Sequence, residues 1–306
     1  MKNTVAALWL ALSANSVFGG QEANNKPIAI VTHSTEDVDY YDLAKPNHLD
    51  YALSHGYRYI PHTGLPAGRM FEDPGAKKPV WRLGLYWQKI EVVRQALQAG
   101  HPWVLWVDAD VLFTNKHISL EQLIERHGKN KDFIIATDHW LHQADRVNAG
   151  VFLVKNSALG RKIMDDVAAL FPLYKKKSTP EQRAIQDVVF GYARVTDAGK
   201  LHVEPRAGRD YDDARILRSV AIVPQRVLNA FYEARGIAPE SSVWQPCDFA
   251  AHACAHPGNK KAKMEKLLSR LGSAGTVCDS APPIHARAFK RAIAWHDPAA
   301  LLWPLS

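Results

Sequence analysis

Short, uninterrupted apolar runs alternate along the chain with stretches whose apolar residues recur every three or four positions. Pro27–Thr32 (PIAIVT), Trp103–Val107 (WVLWV), Phe133–Thr137 (FIIAT), Val151–Val154 (VFLV) and Ala221–Val223 (AIV) are runs of the first kind. Runs without alternation read as strands covered on both faces, the habit of parallel sheets. Tyr57–Ile60 (YRYI) alternates instead and reads as a strand with one covered face. Asp248–Ala251 is a further strand candidate. Between these, Tyr86, Ile90, Val93 and Leu97 share one face of a helix predicted over Trp81–Gln98, which Gly100 and Pro102 end. Helices are also predicted from Leu43 to Ser54 with a stop at His55-Gly56, and over Ser157–Leu170, Glu181–Phe190 and Lys260–Arg270. A Gly/Pro-rich loop spans Pro61–Pro79. Strands alternating with helices predict a single α/β domain, a Rossmann-like sandwich with a mostly parallel central sheet. Such sheets bind ligands beyond the carboxyl ends of their strands.

Composition narrows the class. With 306 residues, 47% of them hydrophobic and 23% charged, the chain can bury a sizeable core. The net charge of +7 is spread along the chain, apart from short clusters at Lys175–Lys177 and Lys260-Lys261. No basic stripe interleaved with aromatics is present, which argues against a nucleic-acid partner and suits a small anionic ligand such as a nucleotide diphosphate. Met1-Lys2, the apolar run Val5–Leu12 and the small residues up to Gly20 predict a signal peptide or short signal anchor over 1–20. A linker over 21–26, a folded domain over 27–275 and a C-terminal extension over 276–306 complete the expected organisation. The apolar run is shorter than the roughly 20 residues that span a bilayer. The expectation is therefore a secretory-pathway protein with at most weak membrane association through its N-terminus. Cys247, Cys254 and Cys278 then allow one disulfide and one free thiol, with the pairing open.

One of the buried runs ends abruptly in charge. Trp103–Val107 leads straight into Asp108-Ala109-Asp110. Carboxylates set against a core are costly unless something pairs with them. The Asp-x-Asp spacing also occurs at Asp37/Asp39, where a helix should begin, and at Asp210/Asp212 in a polar loop. Only Asp108/Asp110 closes a buried strand. Carboxylate oxygens suit hard divalent cations such as manganese or magnesium, which are commonly shared with substrate phosphates. A cation so placed would neutralise a leaving diphosphate.

The segment Trp103–Asn115 (WVLWVDADVLFTN) resembles the metal-binding segment of glycosyltransferase family 34. That family includes fungal α-1,2-galactosyltransferases and α-1,6-mannosyltransferases, and plant xyloglucan xylosyltransferases. Further blocks resemble the family in order: Ile28–Thr32, Asn47–Ala52 with His55-Gly56-Tyr57, Trp87-Gln88-Lys89, Asn148–Ser157, Glu181–Ala184, Leu228–Phe231 and Asp248–His252. The similarity runs over residues 27–256.

The resemblance implies a GT-A fold, a manganese ion with magnesium as the alternative, a UDP-sugar or GDP-sugar donor, a glycan acceptor, retention of anomeric configuration and a Golgi or secreted location. By the same likeness, Asp108 and Asp110 would meet the metal and the donor diphosphate, His252 would be the third metal ligand, and Ala109 would belong to the cofactor-binding set; Lys260 is a candidate for the positive charge that holds the diphosphate. Asp138 and Asn148 would touch the donor sugar, and Thr32 and Lys89 the nucleotide. Gln182 would position or polarise, and Glu181 would stabilise positive charge at the anomeric carbon. Trp87 fits the core as well as the site.

The chain departs from the family after His252. The usual H-[FL]-x-G-C is replaced by His252-Ala253-Cys254-Ala255-His256-Pro257-Gly258-Asn259-Lys260, so His256 is an alternative ligand. Galactose is the favoured sugar. The competing readings are a mannosyltransferase or other GT-A-like transferase, and a catalytically weak sugar-binding relative. A nucleotidyltransferase lacks its Gly-rich phosphate loop near the first strand, and a hydrolase lacks its G-x-S-x-G elbow.

Overall fold

The computed structural model describes residues 26–35, 38–64, 81–138, 146–175, 179–205, 212–234, 238–254 and 259–273. The expected signal, most of the linker, the C-terminal extension, His256 and Cys278 lie outside the described residues.

In chain order the elements are β1 (Ala29–Ser34), α1 (Tyr41–His55), β2 (Arg58–Thr63), α2 (Trp81–Gln98), β3 (Trp103–Val107), β4 (Val111–Phe113) and α3 (Leu120–His127). Next come β5 (Phe133–Thr137), β6 (Val147–Lys155), α4 (Ala158–Ala169), α5 (Phe171–Tyr174), α6 (Pro180–Val189), β7 (Ala193–Val195) and β8 (Leu201–Val203). The last are β9 (Val220–Val223), α7 (Gln225–Leu228), β10 (Ala230–Phe231), β11 (Ala250–His252) and α8 (Lys260–Ser273).

The central sheet has six strands in the order β2-β1-β3-β6-β5-β9. β1 runs parallel to β2 and β3, and β5 runs parallel to β9. β6 alone is reversed, antiparallel to both β3 and β5. The sheet is thus mostly parallel, as the pattern predicts, but β3 has one parallel and one antiparallel neighbour. The reason is the length of a connection. Only residues 138–146 separate β5 from β6. A parallel crossover needs about a dozen residues or more, so the chain returns directly.

The unbroken apolar runs are explained by burial on both faces. Val104 and Trp106 of β3 point into a core layer with Trp87, Val93, Met164 and Ile185. Leu105 and Val107 point into the opposite layer with Tyr51, Phe113, Leu123 and Leu228. β6 divides in the same way, Phe152 and Val154 to one side and Val151 and Leu153 to the other. Trp87 is fully buried in the first layer and belongs to the core. α1 ends where predicted: Gly56 adopts φ +70°, and its N–H caps the carbonyls of Ala52 and Leu53.

A second, three-stranded sheet in the order β10-β11-β4 carries the consequence for function. β4 leaves the end of β3 after one turn, and β11 pairs with it antiparallel, setting His252 opposite Val111.

Candidate active site and metal centre

Asp108 is the first residue beyond β3. Its backbone N–H donates to the Gly150 carbonyl at 2.8 Å, which extends the ladder with β6 by one step. The chain then turns, the Val111 N–H reaching back to the Asp108 carbonyl at 3.1 Å, and enters β4. The Ala253 N–H donates to the Asp110 carbonyl at 2.9 Å. Backbone pairing therefore brings the end of β11 to the end of β3. One ligand atom each from Asp108, Asp110 and His252 lie within 4.8 Å of one another. Asp110 and His252 are buried, and Asp108 is half-buried.

His252 Nε2 is 3.1 Å from one Asp110 oxygen, and Lys260 Nζ is 2.6 Å from the other. Burial pushes the Asp110 carboxyl up, but His252 and Lys260 outweigh it and hold it well below the usual carboxylate range. Lys260 is conversely raised: burial lowers it, and Asp110 and Tyr40 more than compensate. Its ammonium stands 5.3 Å from the centre of the Tyr40 ring. Burial, and then the Asp110 charge, push the Tyr40 hydroxyl up to about 12.

At the other end of the site, Lys89 Nζ lies 3.1 Å from Asp108 and 3.1 Å from Glu181. The Trp106 indole N–H donates to Asp108 at 2.7 Å. Burial lifts Glu181 above its ordinary value against the opposing pull of Lys89. Gln182 is held at both ends, accepting from the Ala149 N–H at 2.9 Å and donating to Asp138 at 3.0 Å. Asn148 donates to Asp138 at 3.3 Å, accepts from the Gly150 N–H at 2.8 Å, and is backed by Asn229.

These groups line a cavity of about 360 Å³. Its walls include Lys89, Asp108, Ala109, Asp110, Asp138 and Asn148, together with Glu181, Gln182, His252 and Lys260. Thr32 is not among them. It is fully buried in β1, and the residues that reach the cavity are His33, Ser34 and Thr35. A larger cleft, about 1030 Å³, lies between Phe113, Trp244 and Leu271 and contains no member of the carboxylate cluster.

The residues fit a divalent cation. Among the described residues, the cavity lining has four carboxylates (Asp108, Asp110, Asp138, Glu181) against two ammonium groups (Lys89, Lys260), an excess of two negative charges. Such an excess in a partly closed space calls for a counter-charge. Two carboxylates and an imidazole form a donor set that manganese accepts. Two buried atoms at the site, Glu181 Oε2 and His252 Nδ1, have no hydrogen-bond partner among the described residues.

Trp106, Tyr40, Gly150 and Cys254 belong to the site but do not stand out in the sequence. Trp106 sits within an apolar run, and only its N–H contact with Asp108 gives it a polar role. Cys254 is a free, half-buried thiol on the cavity wall, while Cys247 is disulfide-bonded. Asn229 lies in one of the blocks that resemble the family, which was its signal.

The fold is of the GT-A type. Residues 22–131 match the model of the galactosyl transferase GMA12/MNN10 family, about a third of the chain. It is 33% identical over 135 residues to probable glycosyltransferase 6 of Oryza sativa subsp. indica, covering 41% of this chain and 24% of that protein. It is 31% identical over 142 residues to galactomannan galactosyltransferase 1 of Cyamopsis tetragonoloba, covering 44% of this chain and 28% of that protein. The aligned region thus spans about a quarter of the length of these relatives. Among solved structures, a glycosyltransferase involved in the glycosylation of the major capsid of PBCV-1 shares the fold, with a TM-score of 0.55 at 18% identity, over 79% of this chain and 99% of the other.

Proposed function

We propose that the chain is a metal-dependent, retaining glycosyltransferase that moves a hexose, galactose in the first instance, from a nucleotide sugar to a glycan acceptor. The observation that carries this reading is the convergence of Asp108, Asp110 and His252 at the end of β3, with Lys260 against Asp110. Likeness to a galactomannan galactosyltransferase supports galactose. A mannosyl donor is the second reading within the same chemistry. Retention rests on the family resemblance.

In this scheme Asp108, Asp110 and His252 hold a divalent ion, manganese in preference to magnesium. When bound, that ion supplies positive charge to the departing diphosphate. Lys260 adds a second positive charge beside Asp110, and Ala109 lines the same cavity. Asp138 and Asn148, which are bonded to each other, present polar groups to the donor sugar. Gln182 is fixed by Ala149 and Asp138, so it positions without searching rotamers. Glu181 keeps one oxygen unpartnered, the acceptor that positive charge developing at the anomeric carbon would meet. His33, Ser34 and Thr35 offer the nucleotide its nearest polar contacts from β1.

The N-terminal sequence pattern supports a secretory-pathway location, Golgi or secreted, for the proposed enzyme. Among the described residues, no helix is long and apolar enough to cross a membrane.

The test is release of UDP or GDP from a panel of nucleotide sugars, with manganese and with chelator, beside Asp110→Ala. Manganese-dependent release from one donor, abolished in the variant, is the expected result. A folded protein that released nothing from any donor, with or without glycan acceptors, and showed no manganese-dependent change in melting temperature would sink the catalytic reading in favour of a sugar-binding relative.

A further inference from the structure

Lys89 occupies an unusual place. It comes from the middle of α2 and is 5% exposed. An ammonium has three protons to donate and no acceptor. Three acceptors surround this one: Asp108 at 3.1 Å, Glu181 at 3.1 Å and the Ala149 carbonyl at 3.2 Å. They belong to three elements, the end of β3, the first turn of α6 and the middle of β6. The indole of Trp106 closes a further side, with Nζ 5.4 Å from its ring centre. All donors are committed within the protein, so none is left for a nucleotide.

The geometry has a second consequence. Glu181 gives one oxygen, Oε1, to Lys89, and its buried Oε2 has no hydrogen-bond partner among the described residues. A free glutamate side chain could present either oxygen in several rotamers. With Oε1 tied down, the position of Oε2 is set as well. The same ammonium holds the Asp108 oxygen that also receives the Trp106 N–H. One buried charge therefore ties the metal end of the site to the sugar end.

We propose that Lys89 is a positioning residue that makes no contact with nucleotide: it bridges Asp108 and Glu181 and so fixes Glu181 Oε2 relative to the metal ligands. This rests on the transferase reading above, with Glu181 beside the reacting sugar. Removing Lys89 should leave nucleotide binding in place and slow the chemical step. Residues that orient metal ligands typically affect activity by about 10–100-fold.

The experiment compares Lys89→Met, Lys89→Arg, Glu181→Gln and the double variant Lys89→Met/Glu181→Gln in the full chain. UDP and GDP affinities are measured by calorimetry at saturating manganese, and kcat and KM for the donor by diphosphate release under the same condition. For Lys89→Met the expected result is a Kd for the nucleoside diphosphate within about threefold of wild type, an unchanged KM and a kcat lower by about 10–100-fold. Lys89→Arg should recover part of the loss because it keeps the charge. If Lys89 acts through Glu181, the double variant should be no slower than Glu181→Gln alone. The double variant also removes the charge that Lys89→Met leaves on buried Glu181, so the comparison with Glu181→Gln stands even if Lys89→Met alone fails to fold. A tenfold weaker nucleoside diphosphate with kcat retained, or losses that multiply in the double variant, would overturn the proposal. If the wild type were silent on every donor, the transferase reading would fall, and the calorimetric arm would still decide whether Lys89 touches nucleotide.

Discussion

Gly150 and His252 are in such close apposition that a methyl group at position 150 would lie 2.6 Å from the imidazole Cε1 and 2.9 Å from Nδ1. Real Cβ atoms do not approach that closely. The same methyl would also meet Asn148 Oδ1 at 2.9 Å. Gly150 is thus the space into which His252, the proposed third metal ligand, fits. Gly150→Ala is expected to turn His252 away from Asp110 and weaken manganese binding about 10–100-fold. The accompanying loss of stability should be about 1–3 kcal/mol, the usual cost of overpacking. Manganese titration with a thermal melt on the same sample checks both, and unaltered metal affinity would show that the imidazole can yield without consequence.

Trp106 contributes a single polar atom to the site, the N–H that meets Asp108 at 2.7 Å. Trp106→Phe keeps an aromatic ring beside Phe152, whose centre is 6.5 Å away, and deletes that donor. A hydrogen bond to a charged group is worth about 1.5–3 kcal/mol. Manganese affinity should fall about tenfold or more, because Asp108 loses one of the groups that orient it. Wild-type metal affinity in a well-folded Trp106→Phe protein would reduce Trp106 to packing alone.

Asp110 is paired in this structure with the Lys260 ammonium and lies within hydrogen-bond distance of His252 Nε2. A cation binding there stabilises the folded chain by mass action, by about 2.7 kcal/mol at a hundred times its Kd. Manganese should therefore raise the melting temperature, chelator should reverse the rise, and Asp110→Asn should abolish it. A rise of equal size in Asp110→Asn would place the ion elsewhere.

The parts of this protein that were legible in sequence are those whose signal is local. β3 and β6 announced themselves because both of their faces are buried, and α2 because one face is. Asp108 and Asp110 stood out as charge at the end of a buried run. His252 was found only through the family resemblance, since nothing near it in sequence marks it as a partner of residues 142 positions earlier. What joins them is the pairing of β4 with β11, two strands of three residues each, too short to leave a periodic pattern. The antiparallel setting of β6 was equally hidden, because an unbroken apolar run reports burial and not direction. Gly150 and Trp106 were missed because a close approach and a lone N–H contact exist only in three dimensions.

His48 links the stability of this arrangement to pH. It is fully buried in α1, and its Nε2–H donates to the Val111 carbonyl at 2.8 Å, directly after Asp110 and opposite His252. Burial lowers its pKa from 6.5 to about 4, against a smaller opposing effect of the Val111 bond. The folded value lies below the unfolded one, so between them the unfolded chain binds the extra proton. Stability from this group is complete above pH 6.5 and is lost as pH falls towards 4. At about 1.4 kcal/mol per pH unit, the loss is roughly 3 kcal/mol. His48→Gln can keep a donor towards Val111 and cannot titrate. Urea unfolding at pH 7 and at pH 4 should show the gap between wild type and His48→Gln shift by about that amount in favour of the variant at the lower pH. A gap that is the same at both would mean that His48 does not titrate in this range. Because His48 grips the strand that follows Asp110, the same acid titration should loosen manganese binding in the wild type more than in His48→Gln.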